Sequence, residues 1–306
     1  MSVFRYIRNF FLSPKSRFYY LTRIGITKLL SDKKFIETEY RVNMGKKLNL
    51  SNPQTYNEKI QWLKLYDHNP EYTVMVDKYE AKKYVAKIIG DEYIIPTLGV
   101  WTRFDDIDFT QLPDQFVLKC THDSGGIYIC KDKKNFDPQE ARKKIESSLK
   151  TNYFYEHREW PYKNVKPRII AEKYMEDRAT QELRDYKFFA FNGEPKAVFI
   201  AKDRLKDEET KFDFFDMDFN HLDFTNGHPN APVLPEKPVN FELMKALAAK
   251  LSMNIPHVRV DFYEVNGKVY FGELTFSHWS GIVPFDPEKW DYIFGEWITL
   301  PQKTAS

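Results

Sequence analysis

Cysteine is nearly absent: two residues, Cys120 and Cys130, occur in a chain of 306, and neither lies in a Cys-x-x-Cys or Cys/His ligand pattern. A disulfide framework is not expected, and a reducing compartment is. Long apolar runs are missing too. No stretch reaches the roughly 18 residues of a membrane-spanning helix. A secretory leader is not expected either. The apolar stretches at residues 10–12 and 19–21 are broken by Lys15, Arg17 and Arg23, with no small-residue cleavage site after them. Neither G-x-G-x-x-G nor G-x-x-x-x-G-K-S/T occurs, so two familiar glycine-rich phosphate cradles are ruled out. Repeats and low-complexity segments are also lacking. The formal net charge of +2 shows no preference for a polyanionic partner.

What is present is globular in composition: 42 % apolar, 29 % charged and 16 % aromatic residues. A chain of this length buries most of the surface its unfolded form exposes and needs no staples. Charge is uneven at the start. Arg5, Arg8, Lys15, Arg17, Arg23 and Lys28 precede the first acid, Asp32, and are interleaved with Phe4, Tyr6, Ile7, Phe10, Phe11, Phe18 and Tyr19. That pattern suits a basic amphipathic segment on an anionic membrane surface. The alternative is a helix packed on the main body with a solvated basic face.

Along the chain, Thr55 or Asn57 is placed to cap a helix carrying Ile60, Leu63 and Leu65, and residues 72–89 read as a further helix ended by Gly90. A proline-broken strand is expected over 93–100. Residues 116–120 and 127–130 read as a hairpin, 138–150 as a helix and 168–174 as a strand. A second hairpin spans 186–191 and 196–201. Residues 203–238 read as a mobile loop or inserted hairpin, and 240–252 as a helix. Strand pairs separated by single helices predict an α+β architecture with antiparallel sheets rather than a βαβ series.

The segment 258–275 carries the most chemistry. Arg259, Asp261 and Tyr263 share one strand face; Phe271, Glu273 and Thr275 share one face of the returning strand. Asn266-Gly267 marks the turn. A two-residue turn would pair Asp261 with Gly272 and send Glu273 to the other face. A three-residue loop, Val265-Asn266-Gly267, pairs Asp261 with Phe271 and gathers Arg259, Asp261 and Glu273. The three-residue loop is therefore predicted, because carboxylates and an arginine on one face can hold hydrated magnesium and phosphate oxygens. The alternative is a cross-strand Arg–carboxylate ladder on a solvated face.

Lys119 ends an apolar strand and is followed by His122-Asp123-Ser124-Gly125-Gly126, whose glycines let backbone N–H groups approach a phosphate. Glu172-Lys173-Tyr174 closes a strand and can offer backbone groups to a purine edge. Asp185 and Lys187 share a face of the next strand. Several lysines on one cleft would bind a polyphosphate through point charges.

Taken in order, residues 57–64, Asp77-Lys78-Tyr79, 116–126, 170–174, 185–189, 258–263 and 271–276 resemble the ATP-grasp superfamily, in particular its TupA-like branch, named for teichuronopeptide biosynthesis. The resemblance covers about residues 40–300. It implies ATP and Mg2+ held between two α+β subdomains, 113–180 as the small lid and 181–306 as the catalytic part. A helical region over 41–112 and the basic segment 1–40 precede them. By the same resemblance Lys78 and Lys119 meet phosphates or adenine, and Ser124, Gly125 and Gly126 form the phosphate lid. Glu172, Lys173 and Tyr174 form the adenine hinge, and Glu176 or Asp177 reaches the ribose. Lys187 lies near the γ-phosphate, Arg259 stabilises the transferring phosphoryl group, and Asp261 and Glu273 hold magnesium. Thr275 stands where many members carry asparagine as the third ligand.

Asp185, His278, Ser280 and Gly281 are candidates for the substrate pocket. The implied activity is a carboxylate–amine ligase acting on a cell-surface polysaccharide or its precursor, with a uronic acid and an amino acid as the pair. No nucleic-acid partner is expected. The expected location is cytoplasmic, with peripheral contact to the inner face of the membrane through residues 1–30. Two other readings compete. One is a glycosyltransferase using the Asp-x-Asp pairs Asp106/Asp108 or Asp216/Asp218; the other is a non-catalytic nucleotide- or saccharide-binding module.

Overall fold

The computed structural model describes residues 13–178, 183–202 and 210–303. Five helices open it: α1 Pro14–Arg23, α2 Asp32–Met44, α3 Tyr56–Tyr66, α4 Glu71–Val76 and α5 Glu80–Ile89. α3 starts on a capping box. The Thr55 hydroxyl accepts from the Glu58 N–H, and Glu58 accepts from the Thr55 N–H. The single helix predicted over 72–89 is two. Asp77 ends α4 in an extended conformation, and its carboxylate caps the N–H groups of Tyr79 and Glu80 that begin α5. The break places Lys78 at a corner rather than on a helix face.

A four-stranded antiparallel sheet follows, built from β1 Thr97–Trp101, β2 Phe116–Cys120, β3 Ile127–Cys130 and β4 Ile169–Lys173 in the order β1-β4-β2-β3. α6, Pro138–Leu149, covers it by setting Ala141 and Ile145 against Phe116, Leu118 and Ala171. A short helix, α7 Phe154–His157, leads toward β4.

The larger sheet has six antiparallel strands: β5 Asp185–Phe191, β6 Glu194–Lys202, β7 Lys211–Phe215, β8 His221–Leu222, β10 Val258–Val265 and β11 Lys268–Thr275, in the order β11-β10-β5-β6-β7-β8. Helices bury both of its faces. α5 and α8, Phe241–Leu251, cover the side carrying Phe188, Val260 and Phe262. α3 and α9, Lys289–Trp297, cover the side carrying Phe189, Phe199 and Phe214. Every residue of β5 is buried, the charged Asp185 and Lys187 as well as the apolar run Phe188–Phe191. Two short strands, β9 Thr225–Asn226 and β12 Phe285–Asp286, pair beside this sheet.

In two places the structure decides between alternatives. Of the segment read as a mobile loop or inserted hairpin, residues 203–209 lie outside the described residues; β7 and β8 pair antiparallel within it, so the hairpin reading holds there, with Phe214 and Phe215 buried in the sheet. The basic start, from residue 13 onward, packs on the body: α1 and α2 bury Phe18, Phe35, Ile36 and Tyr40. Its cations Lys15, Arg17, Arg23 and Lys28 stay exposed, so this part is a pair of packed helices with a solvated basic face. Residues 1–12 lie outside the described residues. Among the described residues no helix is long and apolar enough to cross a membrane.

Candidate functional site

Arg259 is the hub of the large-sheet end. Its Nε donates to Asp261 Oδ1 and one terminal nitrogen to Asp261 Oδ2, both at 2.7 Å. That nitrogen also reaches Glu273 Oε1 at 3.0 Å and Thr275 Oγ1 at 2.9 Å. Lys187, opposite Asp261 in the ladder, donates to Asp261 Oδ2 and lies 3.3 Å from Asp185. The predicted convergence on one face is therefore present, but the predicted loop is not. The turn is a two-residue Asn266-Gly267 turn, with φ of 51° and 74°, pairing Val265 with Lys268. Phe262 pairs with Phe271 and Asp261 with Glu273, so Gly272 is an extra residue on β11. This bulge restores the facing that the turn alone would have lost. A Cβ on Gly272 would sit 3.0 Å from the Asp261 carbonyl.

Electrostatics hold this cluster charged. Burial works against the Arg259 guanidinium, yet Asp261 and Glu273 raise its pKa above the ordinary value. Burial also works against the Glu273 carboxylate, but Lys187, Arg259 and Lys78 outweigh it and hold its pKa at about 2. The Glu273 side chain is 42 % exposed, opening toward a cavity whose water screens these pairs, whereas the Asp261 side chain is 1 % exposed. Burial pulls Lys187 below its usual range although Asp261 opposes.

Behind Arg259 stands His278. Arg259 donates to Nδ1 at 2.8 Å, so Nε2 carries the proton and donates to Asn226 Oδ1 at 3.0 Å. Asn226 is fixed in turn by donating to the Val283 and Pro284 carbonyls. Burial, then Arg259 and Lys187, push the His278 pKa well below its usual value, keeping the ring neutral. The next three residues, Trp279, Ser280 and Gly281, have φ of 49°, 54° and 65°. Such a left-handed run is costly outside glycine and persists only where its surroundings hold it. α3 holds it: Gln61 donates to the Ser280 and Gly281 carbonyls, and Lys64 donates to the Ser280 carbonyl. A Cβ on Gly281 would meet Gln61 Nε2 at 2.5 Å. Ser280 donates to Glu159 at 2.6 Å, and burial raises the Glu159 pKa.

The small sheet presents the opposite charge. Glu172 is buried between Lys119, at 2.6 Å, and Lys82 of α5. Burial opposes its ionisation, but these lysines hold its pKa at about 2. Its carboxylate is thus taken up by lysines, and β4 is paired on both edges; at its end Lys173 is exposed and Tyr174 half-buried, both at the wall of the smaller cleft cavity. Lys78 donates to the Asp123 carbonyl, and burial lowers its pKa although Glu273 and Asp123 oppose.

The two glycines of the turn differ. A Cβ on Gly126 would strike Cys120 Sγ at 2.8 Å, whereas one on Gly125 meets nothing within 4 Å. Gly126 is thus demanded by packing and only Gly125 faces open space. The Ser124 hydroxyl donates to Tyr153.

Two cavities lie along this cleft. One of about 600 Å³ is lined by Lys119, Glu172, Tyr174 and Glu176 together with Asp185 and Tyr263 of the large sheet. The other, about 830 Å³, is lined by Lys187, Arg259, Glu273, Thr275, His278 and Ser280, with Ser124 and Tyr153 opposite. Asp177, expected at the ribose, instead accepts the Asn266 N–H at 2.7 Å and ties this segment to the β10–β11 turn. Glu176 is the residue of that pair lining the smaller cavity.

The Asp-x-Asp pairs serve local turns: Asp108 accepts from the Thr110 N–H, and Asp216 from the N–H groups of Asp218 and Asn220. Lys82, Glu159, Tyr153, Tyr162 and Asn226 escape sequence reasoning. Only Lys82 left a signal, one helical turn after Lys78, and that spacing is hidden by the helix break.

Magnesium is tested by the donors present. Among the described residues no group of three or more His, Cys, Asp and Glu side chains gathers as a metal site. Asp261 accepts three hydrogen bonds from Arg259 and Lys187, filling most of the four acceptor positions of a carboxylate. Thr275 Oγ1 donates to Glu273 and accepts from Arg259. Of the two carboxylates only Glu273 opens to the cavity, which Thr275 also lines. The set fits a cation that takes one or two carboxylates and completes its shell with water and phosphate oxygens.

Two antiparallel sheets, each turning cations and a buried carboxylate toward one cleft, define an ATP-grasp fold. The chain belongs to the TupA-like ATP-grasp family, which matches residues 58–299. No curated protein matches the chain. Solved structures similar to it include D-alanine–D-alanine ligase from Bacillus anthracis complexed with ATP, at 14 % identity and a TM-score of 0.39, covering 66 % of this chain and 54 % of that one. D-alanine–D-alanine ligase from Helicobacter pylori is 18 % identical with a TM-score of 0.42, covering 79 % and 69 %. N5-carboxyaminoimidazole synthase from Aspergillus clavatus, in complex with ADP and its ribonucleotide, is 12 % identical with a TM-score of 0.37, covering 68 % and 46 %. The chain thus spans about half the length of the Bacillus enzyme. α1 and α2 precede the family match.

Proposed function

We propose that the chain is an ATP- and magnesium-dependent ligase that joins a carboxylate to an amine through an acyl phosphate. The observation that carries this reading is the division of charge across the cleft. The small-sheet wall sets Lys119, backed by Lys82 of α5, against one carboxylate, Glu172; the large-sheet wall sets Arg259 and Lys187 against three, Asp185, Asp261 and Glu273. Phosphates suit the first wall and a divalent cation the second. Glu273 would hold magnesium, with Asp261 joining if Lys187 yields its oxygen; bound there, the cation neutralises charge on the phosphates.

In this reading the substrate carboxylate attacks the γ-phosphorus of ATP, breaking the bond to the β-phosphate oxygen and releasing ADP. The amine then attacks the acyl carbon, inorganic phosphate leaves, and the amine loses a proton. Lys78, Lys119 and Lys187 bind phosphate oxygens as point charges. Arg259, preset by His278, meets the charge that spreads over the transferring group. Of the site's remaining side chains, the aromatic wall of Phe199, Phe212 and Trp279 in the larger cavity supports a sugar-linked substrate, whose ring faces pack on aromatic surfaces. A uronic acid with an amino acid is the pair we favour.

Incubation with ATP, magnesium, candidate uronates and amino acids, followed by assay of ADP and phosphate, tests the reading. ADP release that needs both co-substrates and vanishes in folded Glu273→Ala is expected. UDP release from a sugar nucleotide without ATP consumption contradicts it.

A further inference from the structure

The corner after α1 has a feature that the cleft does not use. Four of the chain's exposed large apolar side chains fall within ten residues there: Tyr20, Ile24 (51 % exposed), Ile26 (49 %) and Leu29 (89 %). Gly25, at φ 83°, turns the chain sharply between α1 and the 3-10 turn Ile26–Leu29, so the aliphatic side chains project from a tip. The tip does not lack a core to join, since Phe18 and Thr27 beside it are buried.

Next to this tip lies a separate cavity of about 390 Å³ between the corner and residues 150–157. Among the described residues Arg23, Lys28 and Lys150 line it together with one acid, Glu156. Lys28 lies over the Tyr155 ring at 5.0 Å from its centre, which holds the ammonium at the cavity wall. Arg17, Lys33 and Lys34 are exposed on the neighbouring helices.

We propose that this corner is a docking face for an anionic lipid bilayer. Ile24, Ile26 and Leu29 enter the interface, and the Arg23–Lys28–Lys150 cavity receives a headgroup phosphate. The pairing of the two features favours lipid. A soluble anion would use the cavity and leave the aliphatic tip unexplained. A protein partner would need a surface of about 800 Å² a side, far more than four side chains at a corner provide. Shallow insertion of a few aliphatic groups combined with several basic residues is what reversible membrane attachment requires. Tyr19 and His157 line both this cavity and the larger cavity of the cleft, so the docking face adjoins the candidate site. The inference is independent of the ligase reading.

Co-sedimentation of the full chain with vesicles tests it. The protein should pellet with equimolar phosphatidylcholine–phosphatidylglycerol vesicles, not with phosphatidylcholine alone, and should be released as salt rises. The Ile26→Asp/Leu29→Asp variant and the Lys28→Glu/Lys150→Glu variant should each lose on the order of tenfold in vesicle binding, with unchanged unfolding midpoints. Absence of binding to the anionic vesicles overturns the proposal. So does wild-type binding by both variants. Binding of inorganic phosphate or glycerol phosphate in the cavity without vesicle binding also overturns it, leaving a site for a soluble anion.

Discussion

Both sheets bury a carboxylate between two cations, yet they do so with different chemistry. On the small sheet Glu172 meets two lysines, flexible point charges, and the Lys119 side chain is still 21 % exposed. On the large sheet Asp261 meets the rigid fork of Arg259, itself oriented by a neutral histidine, and no member of that pair is more than 9 % exposed. A fork fixes direction, whereas lysines can be re-aimed when a ligand arrives. The difference suggests a division of labour: an adjustable wall for a polyphosphate and a preset wall where charge develops.

The largest expected effect breaks the preset wall. Arg259→Met leaves Asp261 buried with Lys187 alone and removes the partner of His278; denaturant unfolding should show a loss of about 3–5 kcal/mol. Glu172→Gln, the corresponding change on the adjustable wall, should cost less, about 1–3 kcal/mol, because Lys119 can turn to solvent. Equal losses would erase the contrast between the walls.

That second difference should depend on pH with a defined sign. The folded Glu172 pKa lies near 2, below the ordinary 4.5, so the unfolded chain binds the proton more readily. Wild-type stability relative to Glu172→Gln should therefore be full above pH 4.5 and fade as pH falls toward 2. Unfolding curves across that window check it.

A smaller effect separates the two glycines of the β2–β3 turn. Gly126→Ala forces a Cβ against Cys120 and should cost roughly 1–3 kcal/mol. Gly125→Ala has open space and no left-handed backbone to strain, and should stay within about 0.5 kcal/mol. Any loss in Gly125→Ala should therefore appear in nucleotide binding rather than in the unfolding midpoint.

These contrasts also show what the sequence could reveal. Alternation placed Arg259 with Asp261 and Glu273 with Thr275 correctly by face, but the bulge at Gly272 breaks period two, and Phe271, expected beside Glu273, pairs with Phe262 on the opposite, core-facing side. The convergence on one face came out right although the predicted register, Asp261 opposite Phe271, did not: the signal for the bulge was Gly272 itself, a lone glycine inside a strand pattern. The break at Asp77 was hidden because apolar spacing continues across it and only the aspartate's capping habit marks it. The segment 57–64 was singled out for its resemblance, and nothing in its polar residues marks them as buried. In the fold Asn57, Gln61 and Lys64 are buried and bond to the backbone at Val283, Ser280 and Gly281. Glu159 and Tyr162 reach the cleft only through tertiary packing and left no local trace.

The central claim is that the charge division places the divalent cation at Glu273. Calorimetric titration of ATP into the wild-type protein and into Glu273→Gln, with magnesium and with chelator, addresses it most directly. Magnesium should strengthen wild-type binding by roughly tenfold or more, and Glu273→Gln should lose that gain while keeping its metal-free affinity. An equal magnesium gain in both proteins would contradict the account.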